Sequence, residues 1–247
     1  DMLNVLSDIT AAQAMADAAS GGGAGGGQRL HPTDLNYQQL HATLTPLDAS
    51  ASEHAMVQTY FEDGRPQGVY GFRQLAGVFR VDRHGEAARF AAHRALGNRR
   101  LLWHGTSVAV VAAILKSGLR IMPHSGGRVG RGIYLADQHQ KSAAYVTPAR
   151  GKAIMFLVEA ALGTEHHITR DDPSLVRAPP PCDSVVALGR SGPDHDDVTY
   201  VSIDGAQVEV PLGKPKPTHV NSSFHHNEFL VYNESQHRIR YVCVFDM

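Results

Sequence analysis

Read for the spacing of apolar and polar positions, the chain divides into a helical start and a longer, strand-rich remainder. Met2, Val5, Leu6, Ile9, Ala12 and Ala16 recur at the three-and-four spacing of one helix face, which predicts a helix over 2–19. Ser20 and the Gly-Gly-Gly-Ala-Gly-Gly-Gly run at 21–27 end it in a flexible linker. A second short helix is predicted from Asp34 to Thr43, after His31-Pro32, and Pro46 punctuates the chain. A helix this short with one apolar face needs a neighbour to bury it, so residues 1–46 read as part of a larger helical unit.

From Ser52 the pattern changes. A helix over 53–61 leads to a Gly-rich turn (Gly64, Pro66, Gly68), and then to alternation in which Leu75, Phe79 and Val81 share one face of a half-buried strand. Further strands are predicted at Arg100–His104, Ala153–Leu162, Val198–Ile203, Gln207–Val210, Phe229–Tyr232 and Ile239–Phe245. Asp204-Gly205 marks a hairpin, since glycine accepts the positive φ of a type I′ turn. Helices are predicted over 108–117, stopped by Gly118, and over 138–146, with Asp137 as N-cap. Strands joined by hairpins with few helices make 47–247 an α+β domain built on antiparallel sheets. There is neither βαβ alternation nor a G-x-G-x-x-G after a strand, which argues against a doubly wound dinucleotide-binding fold.

Composition narrows the function. With 247 residues, 43% hydrophobic and 19% charged, the chain can bury a sizeable core. A formal net charge of −1 argues against this piece gripping DNA, which needs a clustered excess of Lys and Arg. Cys182 and Cys243 supply no disulfide framework and no metal-ligand spacing, so a reducing compartment is expected. Among the histidines, the pairs His166–His167 and His225–His226 are adjacent in sequence, a poor arrangement for a metal, and none is expected. The apolar run Val108–Leu115 is too short to span a bilayer, and the chain is expected to be a soluble piece of something longer.

Four segments can carry chemistry. Trp103-His104-Gly105-Thr106 ends an apolar strand where a side chain and bare backbone can approach one ligand, although a strand-end histidine can equally be structural. Gly118-Leu119-Arg120-Ile121 and the loop 123–132, with its glycines and two arginines, suit a mobile lid near an anion or a solvated loop. In Gly132–Tyr145, helical spacing would turn Ser142 and Tyr145 the same way, with Lys141 four residues before Tyr145. A hydroxyl and a ring on one face can bind a flat amide-bearing heterocycle; an amphipathic helix with a core tyrosine is the plain alternative. In Asn227-Glu228-Phe229, an acid opening an apolar strand must be paired or used.

In their order, these segments resemble the catalytic signature of the DNA-damage-dependent poly(ADP-ribose) polymerases over nearly the whole chain. The stretch from Gly118 to Tyr134, the segment Ala161–Ile168 and Pro179–Val185 look closest to the family's third, mainly mono-ADP-ribosylating branch. Residues 1–46 resemble the last helices of its regulatory helical domain. The resemblance implies the split-sheet ADP-ribosyltransferase fold, with NAD⁺ as a consumed substrate and no metal. It implies a triad of His104, Tyr134 and Glu228, with Thr106 assisting at the adenosine ribose. Gly105 backbone and the Ser142 hydroxyl would hold the nicotinamide carboxamide. Tyr145 would stack on the ring near Lys141, and Arg120 would lie toward the adenosine end. A backbone contact that the family makes from a glycine falls at Ala113. Phe229 and Leu135 stand where the family commonly has Tyr and Phe.

The chain stops at Asp246-Met247 without the longer hydrophobic tail of other members, which puts docking of an accessory factor there in doubt. It is also expected to be active without DNA, because the shielding helices are incomplete. The implied partners are acceptor proteins, the chain itself included, with damaged DNA read only by domains outside it; the implied location is nuclear. A non-catalytic NAD⁺ or ADP-ribose binding module is the alternative.

Overall fold

A computed structural model describes residues 31–65, 72–123 and 126–247. The helix expected over 2–19, the linker at 21–27, and Pro66 and Gly68 lie outside the described residues.

Helix α1 (Pro32–Gln38) begins with proline at its first turn, and the His31 ring accepts from the Thr33 amide at 3.2 Å. It stops short of the expected Thr43. His41 turns the chain at φ 51°, and Ala42–Pro46 form strand β1. Ala42 and Leu44 are half-buried while Thr43 and Thr45 face water, a period of two that overrides the helical reading. β1 is an edge strand, where Pro46 leaves no central ladder bond unmade.

Helix α2 (Ser52–Asp63) buries Val57, Tyr60 and Phe61. Strand β2 (Gln74–Arg83) follows, then α3 (Glu86–Ala91), β3 (Arg99–Gly105), a single 3₁₀ turn, and α4 (Val111–Ser117). Next come β4 (Ile133–Leu135), α5 (His139–Ala143), β5 (Lys152–Ala161), β6 (Glu165–Ile168), β7 (Ser184–Ala187) and β8 (Gly189–Gly192). The chain ends with β9 (Thr199–Ile203), β10 (Ala206–Val210), β11 (Lys216–Pro217), β12 (Phe224–His226), β13 (Glu228–Val231) and β14 (His237–Asp246). Asp204 and Gly205 both take positive φ, 51° and 78°, at the β9–β10 hairpin.

These strands make a seven-stranded sheet, β1-β2-β14-β5-β3-β10-β9, a four-stranded sheet, β4-β13-β7-β6, and a small third sheet, β11-β8-β12. Most pairings are antiparallel; β3–β10, β6–β7 and β8–β12 are parallel.

The large sheet is covered on both faces, and that explains the apolar runs of its central strands. From β5, Met155 and Leu157 enter a core with α2, while Phe156, Val158 and Ala160 enter the opposite core with α4 and the second sheet. In β3, Leu101 and Trp103 go one way and Leu102 the other. Phe229 and Val231 of β13, Val186 of β7, and Ile133 and Leu135 of β4 fill the shared core between the sheets.

One expectation for β2 fails. Phe79 and Val81 do share a face, but Leu75 joins Val78 in the other core. Opposite β2, Val244 pairs with Gly77 and Phe245 with Leu75, so Ala76 is the extra residue of a bulge and the alternation reverses there.

Candidate active site

The site forms where the two sheets separate. Trp103 of β3 and Ala136, just after β4, exchange backbone hydrogen bonds of 2.7 and 3.0 Å, while Ile133–Leu135 pair with β13. β4 therefore spans the gap. It brings His104, Tyr134 and Glu228, from three different strands, to one cavity of about 580 Å³. Gly105, Thr106, Ala113, Arg120, Lys141, Ser142 and Tyr145 border the same cavity. A volume of this size is typical of a small-molecule site.

His104 is fixed by Nδ1, 2.9 Å from the Tyr134 carbonyl. A carbonyl only accepts, so Nδ1 carries the proton, and burial lowers the ring's pKa. The neutral imidazole is left with Nε2 as an acceptor. The Tyr134 hydroxyl is already committed: it donates to Gly130 O at 2.7 Å and accepts from Val129 N at 3.0 Å. Its ring lines the cavity while its hydroxyl holds the loop. Gly127 must be glycine there, because a Cβ would sit 2.5 Å from that hydroxyl.

Gly105 permits an even closer approach, since a Cβ on it would lie 1.9 Å from Ser142 O. The end of β3 thus abuts α5, and Ser142 Oγ donates to Trp103 O at 3.0 Å. The sequence placed Ser142 and Tyr145 on one face of a helix reaching 146. Instead α5 ends at Ala143 and Tyr145 sits in the following turn, with Ser142 buried and Tyr145 61% exposed at the rim. Nor does Asp137 cap α5. The cap position is Gln138, whose side chain makes no capping bond, and the Asp137 carboxylate instead accepts from Asn227 Nδ2 at 2.6 Å.

Glu228 is 3% exposed, and Lys141 Nζ lies 2.7 Å from its Oε1. Lys141 also sits over the Tyr145 ring, 5.5 Å from its centroid. One cation thus connects the buried acid to the aromatic rim.

The opposite wall depends on residues that no local pattern singled out. Arg83 donates from Nε to Leu115 O at 2.6 Å and from Nη2 to Lys116 O at 3.0 Å, satisfying carbonyls at the end of α4. Its partner is the buried Glu86, at 2.8 Å. Beyond Gly118, with φ at 80°, Glu234 accepts from Ile121 N at 2.8 Å and pairs with Arg120 Nε at 2.9 Å.

The loop 123–132, which its sequence left as a lid or a solvated loop, borders the cavity through Gly126, Gly127 and Gly132. His124 and Ser125 lie outside the described residues. From Val129 on it is tied down: Val129 is fully buried, Arg131 N donates to Leu175 O at 2.8 Å, and a Cβ on Gly130 would lie 1.8 Å from that oxygen. Its arginines do not border the cavity. Arg128 makes a two-pronged bond to Asp171 at 2.9 and 2.7 Å and covers the Phe224 ring at 4.2 Å. Arg131 donates to Pro123 O at 3.2 Å. The adjacent histidines are engaged elsewhere too: His167 bonds Glu165, and His226 bonds Gln138 while its ring meets His225 edge to face at 4.4 Å.

Comparison with known proteins agrees with this geometry. Residues 51–247 match the family model of the poly(ADP-ribose) polymerase catalytic domain. The chain is 50% identical over 248 residues to the mouse protein mono-ADP-ribosyltransferase PARP3, covering 98% of this chain and 46% of that protein. The human protein of the same name is 49% identical with the same coverage. Rice poly(ADP-ribose) polymerase 2-A is 36% identical over 220 residues, covering 85% of this chain and 33% of that protein. The chain thus spans less than half the length of the relatives it matches. With the family match covering every strand from β2 onward, those that feed the cavity included, the chain belongs to the poly(ADP-ribose) polymerase catalytic-domain family.

Proposed function

We propose that the cavity takes NAD⁺ as substrate, cleaves its nicotinamide–ribose bond and transfers ADP-ribose to a protein acceptor. The observation that carries this reading is the convergence of Glu228, Lys141, His104 and two tyrosines on one cavity.

The nicotinamide carboxamide fits the Gly105 backbone, beside Ser142. With its own proton given to Trp103 O, the Ser142 oxygen is free to accept from the amide nitrogen. Tyr145 and Tyr134 supply aromatic surfaces for the ring, and Nε2 of neutral His104 accepts from a ribose hydroxyl. As neutral nicotinamide leaves, positive charge grows on the ribose, as in glycoside hydrolysis. Glu228, buried and preorganised, holds the 2′-hydroxyl and offsets that charge. It then takes the proton of the incoming acceptor. Arg120, held by Glu234, and Thr106 with the Ala113 backbone line the path of the adenosine half.

Single ADP-ribose units on acceptor proteins, the chain itself included, are the product that the likeness to mono-ADP-ribosyltransferases supports. A nuclear setting and control by DNA breaks through segments outside this chain complete the reading. Incubation with NAD⁺ labelled in the adenosine half tests it: released nicotinamide and a single labelled protein band are expected. NAD⁺ binding without nicotinamide release would leave a binding module only.

A further inference from the structure

The strand ladder between β13 and β4 stops beside Glu228. β13 pairs with β4 from Val231 to Phe229, opposite Ile133 to Leu135. In register, Glu228 falls opposite Ala136, whose N–H and C=O turn to Trp103, and Asn227 falls opposite Asp137, where the backbones do not pair and the side chains bond instead. The ladder on that side therefore ends one residue short of the acid. On its other side, Glu228 keeps its pairing with Ala187 of β7.

Two buried side chains stand where the ladder stops. Asp137, 4% exposed, accepts from Asn227 Nδ2 at 2.6 Å, and Asn227, 7% exposed, accepts from Gly189 N at 2.7 Å. Asp137 follows the residue bonded to Trp103, which precedes His104; Asn227 directly precedes Glu228. Neither side chain borders the cavity. Asp137 Oδ1 has no hydrogen-bond partner among the described residues, so Asn227 is the recorded side-chain partner of a buried carboxyl.

We propose that Asp137 and Asn227 are positioning residues: their hydrogen bond replaces the missing ladder pair and fixes Glu228 relative to His104 for the transfer reaction. This rests on the proposed function. The geometry demands it because a misplacement of about 1 Å at a reacting centre costs on the order of 10²-fold in rate.

The test uses the full chain and two readouts: kcat for nicotinamide release from NAD⁺, and the Kd of benzamide as a probe of the nicotinamide end. Asn227→Asp sets two carboxyls face to face and removes the amide donor. It is expected to lower kcat by about 10-fold or more while benzamide Kd moves by less than about 3-fold. Adding Asp137→Asn restores a donor–acceptor pair in the reverse direction and should return kcat to within about 3-fold of the parent. Unchanged kcat in Asn227→Asp, loss of kcat and benzamide affinity together, or a double variant that recovers Tm but not kcat would each overturn the proposal. If Asn227→Asp does not fold, Asp137→Asn, which keeps an acceptor, is compared with Asp137→Leu, which does not. Loss in the leucine variant alone supports the brace, and equal kcat in both refutes it. A parent chain that binds benzamide but releases no nicotinamide would instead remove the transferase reading, and the brace with it.

Discussion

Glu159 and Glu228 are both carboxylates shut away from water, at 0% and 3% exposure, and the protein treats them in opposite ways. Glu159, in the middle of the large sheet, is saturated. Arg99 pairs with Oε1 at 2.8 Å and Arg240 Nε donates to Oε2 at 2.7 Å, with Arg240 continuing to Asp204 at 2.8 Å. Each carboxylate oxygen has an arginine, as a buried charge requires if it is only structural. Among the described residues Glu228 pairs with one lysine, Lys141, and it borders the cavity. A structural acid is surrounded; a reacting acid is held firmly and left one place short.

The sharpest way to break the comparison is at Glu228. Glu228→Gln keeps shape but removes charge and is expected to lower nicotinamide release by about 10²–10³-fold. Tm and benzamide affinity should stay close to the parent's. If the variant kept full activity, the assignment of the acid would be wrong.

Glu159→Gln is the complementary case. Stripping one partner from a buried ion network should cost about 3–5 kcal/mol in chemical denaturation. Turnover per folded molecule should be retained. A variant of normal stability and impaired turnover would invert the contrast between the two acids.

Gly105→Ala probes the contact that sets α5 against β3. The added methyl meets the Ser142 carbonyl at 1.9 Å, a backbone atom that cannot swing aside. Weaker benzamide binding, by about 10-fold, and a loss of about 1–3 kcal/mol are expected, read by titration and thermal melts.

The smallest effect concerns Asp137. Burial raises its carboxyl from an ordinary 3.8 to about 7, with the Asn227 bond opposing the shift and Arg100 and Glu209 acting in opposite senses. The folded protein therefore holds this proton more tightly than the unfolded chain. Its contribution to stability is complete below about pH 4 and falls as pH rises to about 7. Buried His139 and His237, lowered to about 4 and about 3, act the other way: their contribution is present above about pH 6.5 and is lost on acidification. The measurement is thus a difference between variants. Asp137→Asn should gain stability relative to the parent as pH goes from 4 to 7, and a constant difference across that range would contradict the assignment.

Much of this was legible in the one-dimensional pattern. The apolar runs at 100–104, 153–162 and 239–245 became β3, β5 and β14, the Asp204-Gly205 turn formed, and each residue named for the site borders the cavity. What misled were short elements. The stretch 34–43 has a helical start but an alternating end, and an edge strand needs a partner that local sequence does not display. Ser142 and Tyr145 were given a helix that ends too early. The glycines of 126–132 left a lid and a solvated loop equally open, and two of them, Gly127 and Gly130, serve close contacts with Tyr134 and Leu175. The reach of Arg83 to the carbonyls of α4, the hold of Glu234 on Arg120 and Ile121, and the Asp137–Asn227 bond had no local signal, because the partners lie on other elements.

Periodicity and residue chemistry, both local properties, indicated by themselves where most long elements run and that a hydroxyl and a ring could meet a flat amide-bearing heterocycle; the nicotinamide nucleotide came from the family resemblance. Tertiary structure alone decided which bonds each of those residues is free to make. That Arg128 serves Asp171 and that Glu228 meets Lys141 depend on groups far away in sequence brought within 3 Å. Hydrogen bonding and burial are set by neighbours in space, and a sequence read along its length displays only neighbours in order.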